Sequence, residues 1–183
     1  MEPIVTLPYS EWLVAERLMA ALPPRQGYSV YVPLSRQEKG VDLLLTRRVN
    51  GVSRTATLQV KYSRAYEPQR GRLNFAIWFR TFPVPDQADF FVLAALYPNI
   101  TGRGTGPKAE RWLPLLLLFR HNEMVELLAS LRTKAGLPDR MFYFGFDSPE
   151  QVVLTRGSAE ERDFTDFIFS KRVAMLRDFL SAG

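Results

Sequence analysis

Between Gly40 and Tyr62 the chain carries three side chains that can act together on a phosphodiester: Asp42, Gln59 and Lys61. Two apolar runs, Val41 to Leu45 and Leu58 to Tyr62, flank Asn50-Gly51, a dipeptide that favours a two-residue hairpin turn. With Asn50 and Gly51 as the turn, Val49 pairs with Val52. Counting back along both strands then sets Asp42 opposite Gln59. Lys61 follows two residues later on the same face, because side chains alternate along a strand. Opposed Cβ atoms stand about 5 Å apart, and Gln59 to Lys61 is roughly 7 Å. A slip of one residue would move Asp42 to the other face, so the expectation depends on this register.

Hydrolysis of a phosphodiester needs charge neutralised on the phosphate, an activated water and a stabilised leaving oxygen. A divalent cation serves all three needs. Magnesium takes hard oxygen ligands and keeps several waters, so one or two carboxylates suffice from the protein. Asp42 supplies one, the Gln59 amide oxygen a neutral second, and the backbone carbonyl of Val60 a third. Lys61 would hold the attacking water or the phosphate, and partial desolvation would favour its neutral form and let it assist proton removal. The competing interpretation is an ordinary cross-strand ion pair of Asp42 with Lys61, worth 0 to about 1 kcal/mol if exposed.

The elements that must position these groups can be read in order. Residues 10 to 22 read as a helix capped by Ser10 and ended by Pro23-Pro24, with Trp12, Ala15, Leu18, Met19 and Leu22 on its apolar face. Glu16 flanks that face, as a ligand or as a solvated edge charge; spacing alone favours the edge charge. Strands are expected from Tyr28 to Leu34, from Asp42, from Thr55 to Tyr62, from Leu73 to Phe82, from Phe90 to Leu96 and from Arg111 to Phe119, with Pro114 at an irregularity or an edge. Thr101 to Glu110 reads as a surface loop; its glycines and Lys108 lack the spacing of a phosphate-binding loop. A helix follows from Asn122 to Thr133 with Asn122 as cap. Short strands at Met141 to Phe146 and Gln151 to Thr155 precede a long helix from about Ser158. The order is mixed α/β, a sheet covered by helices, in a single domain spanning 1–183.

The residues in this order resemble the PD-(D/E)XK nuclease superfamily: Ala15-Glu16, then Gly27-Tyr28-x-Val30, then Gly40-Val41-Asp42, then Leu58-Gln59-Val60-Lys61. The glutamine variant is similar to that of Mrr-type restriction enzymes and certain homing endonucleases, and archaeal Holliday junction resolvases share the core. The resemblance covers about residues 10–96, with Asp89-Phe90-Phe91-Val92 as the acidic start of the fourth core strand. It implies a restriction-endonuclease-like mixed central sheet flanked by helices, with residues 111–183 as a C-terminal elaboration. It also implies a metal-dependent DNA endonuclease using Mg2+ or Mn2+, with Asp42 as main ligand, Gln59 in the third ligand position and Lys61 as catalytic lysine. Under it Glu16 becomes the helix acid near the metal. Val41 stands where the motif name has proline, and Gln59 replaces an acid, which weakens the attraction for a cation. Glu38 is a candidate further acid. The alternative is a nuclease-like fold that binds DNA or a protein partner without cutting.

Bulk properties agree with a nucleic-acid partner without requiring one. The 183 residues carry a formal net charge of +5, and most of the 24 basic residues are arginine, which suits bidentate phosphate contacts. Arg64, Arg70 and Arg72 follow the expected site and are assigned to phosphate contacts, against the plainer view that they are merely solvated. There is no cysteine, which excludes disulfides and thiolate zinc sites within the sequence. No signal-like segment opens the sequence and no apolar run is long enough to span a bilayer, so a cytoplasmic location without membrane contact is expected. Cutting both strands calls for two sites, hence an expected homodimer. His121 reads as a surface or capping residue, and Phe75, Trp78, Phe79 and Phe82 as core.

Overall fold

A computed structural model of the chain describes residues 9–33, 40–66, 75–98, 112–148, 150–158 and 160–182. Glu38, Arg70, Arg72, Lys108 and the loop from Thr101 to Glu110 lie outside the described residues. The chain runs through α1 (Tyr9–Ala21), β1 (Tyr28–Tyr31), β2 (Leu43–Val49), β3 (Val52–Tyr66), β4 (Phe75–Arg80), β5 (Phe90–Pro98), β6 (Trp112–Arg120), α2 (His121–Ser130), β7 (Met141–Ser148), β8 (Gln151–Arg156), β9 (Arg162–Asp163) and α3 (Phe169–Phe179). It is mixed α/β, mostly antiparallel sheet with three helices among the described residues.

The organising element is β3. Its first half pairs with β2 through the Asn50-Gly51 turn, where Asn50 and Gly51 both take positive φ (51° and 83°), the geometry of the tight hairpin turn. Its second half pairs in parallel with β5, from Leu58↔Phe90 to Arg64↔Leu96. At its end it pairs with β4, at Ala65↔Ile77 and Tyr66↔Ala76. One strand thereby belongs to two sheets: β1-β2-β3-β5-β6 and β3-β4-β7-β8-β9.

Alternation along β3, β5 and β6 sorts their side chains into two cores. Ala56, Leu58 and Val60 join Phe90, Val92, Ala94, Leu116 and Leu118 under α1 and α3. Phe91, Leu93, Ala95, Leu115, Leu117 and Phe119 face the other way, against β4, β7, β8 and α2. Strands β5 and β6 are thus covered on both faces, which is why their sequences read as continuous apolar runs rather than alternating ones. Ring packing fills the second core, with Phe75 stacked on Phe146 at 5.4 Å and Phe79 on Phe142 at 5.5 Å. On the first face, Phe179 of α3 meets Phe90 edge-on at 5.1 Å, and Arg177 donates to the Ala21 carbonyl that ends α1 (3.0 Å).

Several sequence expectations are corrected. In α1 the buried residues are Leu13, Val14, Ala15 and Leu18, while Trp12 and Met19 are exposed. The helix is apolar on more than one side, so spacing did not determine which stripe is covered. Helix α2 begins at His121, one residue early: the Glu123 carboxylate accepts from the Arg120 N–H (2.7 Å), a cap formed from inside the helix rather than by Asn122. The last helix starts at Phe169, not near Ser158. Asp163 accepts from the Thr165 N–H (2.8 Å) and Phe164 donates its N–H to Val152 (2.8 Å), so local side-chain bonding and pairing with β8 hold this segment out of a helix. Strand β1 ends at Tyr31 and β3 continues to Tyr66, beyond the Tyr62 expected.

Candidate functional site

The hairpin register is the one counted from the turn. Val49 pairs with Val52 and the ladder runs out to Leu43↔Leu58, one position short of the Asp42–Gln59 pair expected. Asp42 lies just before β2 rather than in it: its N–H donates to Leu58 (2.9 Å), and its Oδ2 accepts from the Val60 N–H (2.7 Å). The reason is geometric. Strand β2 begins at Leu43, so the edge of β3 beyond Leu58 has no strand partner on that side, and the carboxylate takes over the open amide. A residue's N–H and C=O point to the same side of a strand. The Val60 carbonyl is therefore directed to the side on which the Asp42 carboxylate sits.

Gln59 follows on the other face from Leu58 and Val60. Its side chain is buried, 7% exposed, and its Oε1 has no hydrogen-bond partner among the described residues. An orphaned buried amide oxygen carries a desolvation cost of about 1–3 kcal/mol, so it marks a position that is incomplete as it stands. The carboxylate, amide and carbonyl oxygens of Asp42, Gln59 and Val60 are of the kind a hard divalent cation takes. Among the described residues no three His, Cys, Asp or Glu side chains cluster as metal ligands.

Lys61 shares the Gln59 face and is half-buried. Its Nζ sits over the Phe82 ring at 5.1 Å, and no described ion pair joins it to Asp42. The ammonium is thus anchored through an aromatic face that leaves its three protons available. The cross-strand ion pair considered from sequence is not what the structure contains.

The segment after β4 frames the site. Gly40 has φ +96°, and a Cβ there would fall 2.4 Å from Pro85 Cγ and 3.8 Å from Gln59 Nε2. Glycine is required at this position both by its backbone conformation and by the proline packed on it. Phe82 in turn stacks on Phe91 at 6.1 Å, the β5 residue in register with Gln59. Phe82 and Pro85 therefore bracket Lys61 and Gly40, contacts that spacing within the hairpin could not reveal.

Glu16 is not brought to this group. It is exposed on α1, which packs on the Leu58 and Val60 face, whereas Gln59 and Lys61 occupy the opposite face. It makes no described hydrogen bond or ion pair, and its neighbours Trp12 and Met19 are exposed with it. Arg64 is exposed on β3. Asp89 is occupied structurally: Oδ2 accepts from the Thr57 N–H (2.8 Å), and its own N–H donates to the Thr57 hydroxyl (3.0 Å), which fixes the start of β5 against β3. His121 lies with Nδ1 3.0 Å from the Ala88 carbonyl and its N–H on Asp89 (2.9 Å), a strand-to-helix corner and not part of the cluster. Phe75 and Phe79 are core; Trp78, on the alternate side of β4, is half-buried and faces outward beside Tyr66.

Comparison of the chain with protein-family models, with curated proteins and with solved structures finds no match. No helix among the described residues is long and apolar enough to cross a membrane.

Proposed function

We propose that this protein is a metal-dependent DNA endonuclease with a restriction-endonuclease-like core. The observation that carries the reading is the buried, unpartnered Oε1 of Gln59, together with an Asp42 carboxylate held on the N–H of the next residue, Val60. Asp42, Gln59 and the Val60 carbonyl would hold Mg2+ or Mn2+. When bound, the cation supplies charge neutralisation on the phosphate and acidifies a bound water. Asp42 has one carboxylate oxygen committed to Val60, which fixes its orientation while its other oxygen is left for ligation. Lys61, held over Phe82, presents its ammonium to the non-bridging phosphate oxygens and positions the water for in-line attack. The mixed sheet, with β1, β2 and β3 antiparallel, β5 parallel to β3 and helices on the flank, supports the core proposed. Double-strand cleavage would call for a pair of such sites and hence a homodimer. We leave Glu16 out of the ligand set.

A second reading, a nuclease-like module that binds DNA without cutting, is favoured by one observation: no cluster of three His, Cys, Asp or Glu side chains occurs among the described residues. Supercoiled plasmid incubated with Mg2+ or Mn2+ separates the two. The first reading expects relaxed and linear products from the native protein and little from Lys61→Ala. Equal cleavage by both proteins refutes the mechanism. Salt-dependent DNA binding with no metal-dependent cleavage supports the second reading.

A further inference from the structure

Strands β3 and β4 are paired at Ala65↔Ile77 and Tyr66↔Ala76 and part toward Lys61, leaving a groove. Strand β3 forms one wall from Lys61 to Tyr66, and β4 with its exit, Trp78 to Phe82, forms the other, around a cavity of about 550 Å³. Its lining contains three cations, Lys61, Arg64 and Arg80, and no carboxylate. Neither the Arg64 nor the Arg80 guanidinium makes a hydrogen bond or ion pair among the described residues, so no internal partner explains their charge. The same walls carry Tyr62, Tyr66 and Trp78; the tyrosines are 45% and 44% exposed. Tyr66 and Trp78 stand 6.3 Å apart with planes inclined at 31°, a splayed pair rather than a closed stack. Ser63 fastens the two walls by donating its hydroxyl to the Trp78 carbonyl (2.5 Å), which holds the Trp78 backbone against β3.

Unpaired cations interleaved with accessible aromatic rings form the surface that single-stranded nucleic acids occupy: cations follow the phosphates while rings stack on the bases. A duplex does not fit this chemistry, because its base faces are already covered by their neighbours. We propose that this groove binds single-stranded DNA and feeds it to the site at Lys61. The inference rests on the nuclease reading for its direction, since Lys61 belongs to both groove and site. Lys61 and Tyr66 are separated by about 17 Å at roughly 3.3 Å per residue of strand, so several unpaired nucleotides would be engaged beside the scissile bond.

Fluorescence anisotropy in EDTA tests the groove apart from any cleavage. The probes are a labelled oligothymidylate and a blunt duplex of equal length. The proposal expects the single strand to bind more tightly than the duplex, with affinity that falls as salt rises. Trp78→Ala should weaken single-strand binding by about five- to a hundred-fold, the cost of losing one stacked base, while Trp78→Phe retains most of it. Tyr66→Ala, at an exposed position, gives the same reading should Trp78→Ala fail to fold. Tighter binding of the duplex, or unchanged affinity in Trp78→Ala and Tyr66→Ala, overturns the proposal. Single-strand binding without metal-dependent cleavage keeps the groove and removes the nuclease reading. Cleavage with unaltered affinity in the aromatic variants does the reverse.

Discussion

Gln59→Leu should make this protein more stable and at the same time deaf to magnesium. The amide oxygen of Gln59 is buried without a partner, and leaving such a group unsatisfied costs about 1–3 kcal/mol. Leucine is close to glutamine in length and introduces no polar atom, so the penalty is removed and apolar contact is gained in the same space. For a chain of 183 residues, 1 kcal/mol corresponds to roughly 2–4 °C in Tm, so the variant should melt about 2–10 °C higher in EDTA. Magnesium should erode that difference. A ligand that binds only the folded state adds RT ln(1 + [L]/Kd), about 2.7 kcal/mol at a hundred-fold excess over Kd. The native protein should therefore gain stability along a magnesium titration, while Gln59→Leu stays flat. Thermal unfolding followed by circular dichroism, with and without EDTA, reads both arms. A lower Tm for the variant in EDTA would show that the amide oxygen is satisfied in the free protein, and an equal response of both proteins to magnesium would show that it is not a ligand. Either result would falsify the reasoning.

Two other perturbations test the Gly40 frame of the site and, apart from the site, an ion pair of the second sheet. Gly40→Ala places a Cβ in contact with Pro85 at a backbone angle that disfavours side chains, and should cost about 1–3 kcal/mol in urea unfolding and blunt the magnesium response; a neutral result would show that the Gly40 loop is not clamped. The buried carboxylate of Asp139 is held below the usual range, chiefly by its hydrogen bond from Arg156 and also by the Met141 N–H, against burial, which pushes it up. Its folded pKa is depressed, so its contribution is present above the unfolded carboxylate range and is lost as pH falls through the folded value. Arg156→Ala should therefore destabilise by about 1–3 kcal/mol near neutral pH, reduced because Arg156 is 44% exposed, and by less in strong acid. A pH-independent difference between the two proteins would reject that account.

The hairpin was legible because two local signals agreed: Asn50-Gly51 fixes a turn, and period-two alternation then sets every pair out to Leu43 and Leu58. Nearly all the strands were legible too, since their apolar runs have few other uses. What the sequence hid depends on partners distant along the chain. Which stripe of α1 is buried is decided by Leu43, Leu58 and α3, not by the helix itself. That Lys61 rests on Phe82 rather than pairing with Asp42 depends on where the chain after β4 returns. The groove needed β3 to leave one sheet and join another, a crossing that no window of sequence records. Trp78 and Arg80 did carry a signal, since alternation sets them opposite to Ile77 and Phe79, but the density of aromatics made the whole segment read as core. The sparse charge on β5 and β6 likewise said that these strands are buried and not what buries them.

The rims of the two sheets limit how copies of this chain can assemble. Pro114 of β6 has no N–H to offer, and Ile168 already bridges to Leu117 of that strand. The other terminal strands, β1 and β9, are four and two residues long. Intermolecular strand addition, which needs a long row of vacant amides and carbonyls, finds only short or interrupted templates here. A pair of protomers cutting opposite strands would have to meet through side-chain surfaces, and a continuous sheet running through both is the assembly this architecture disfavours most.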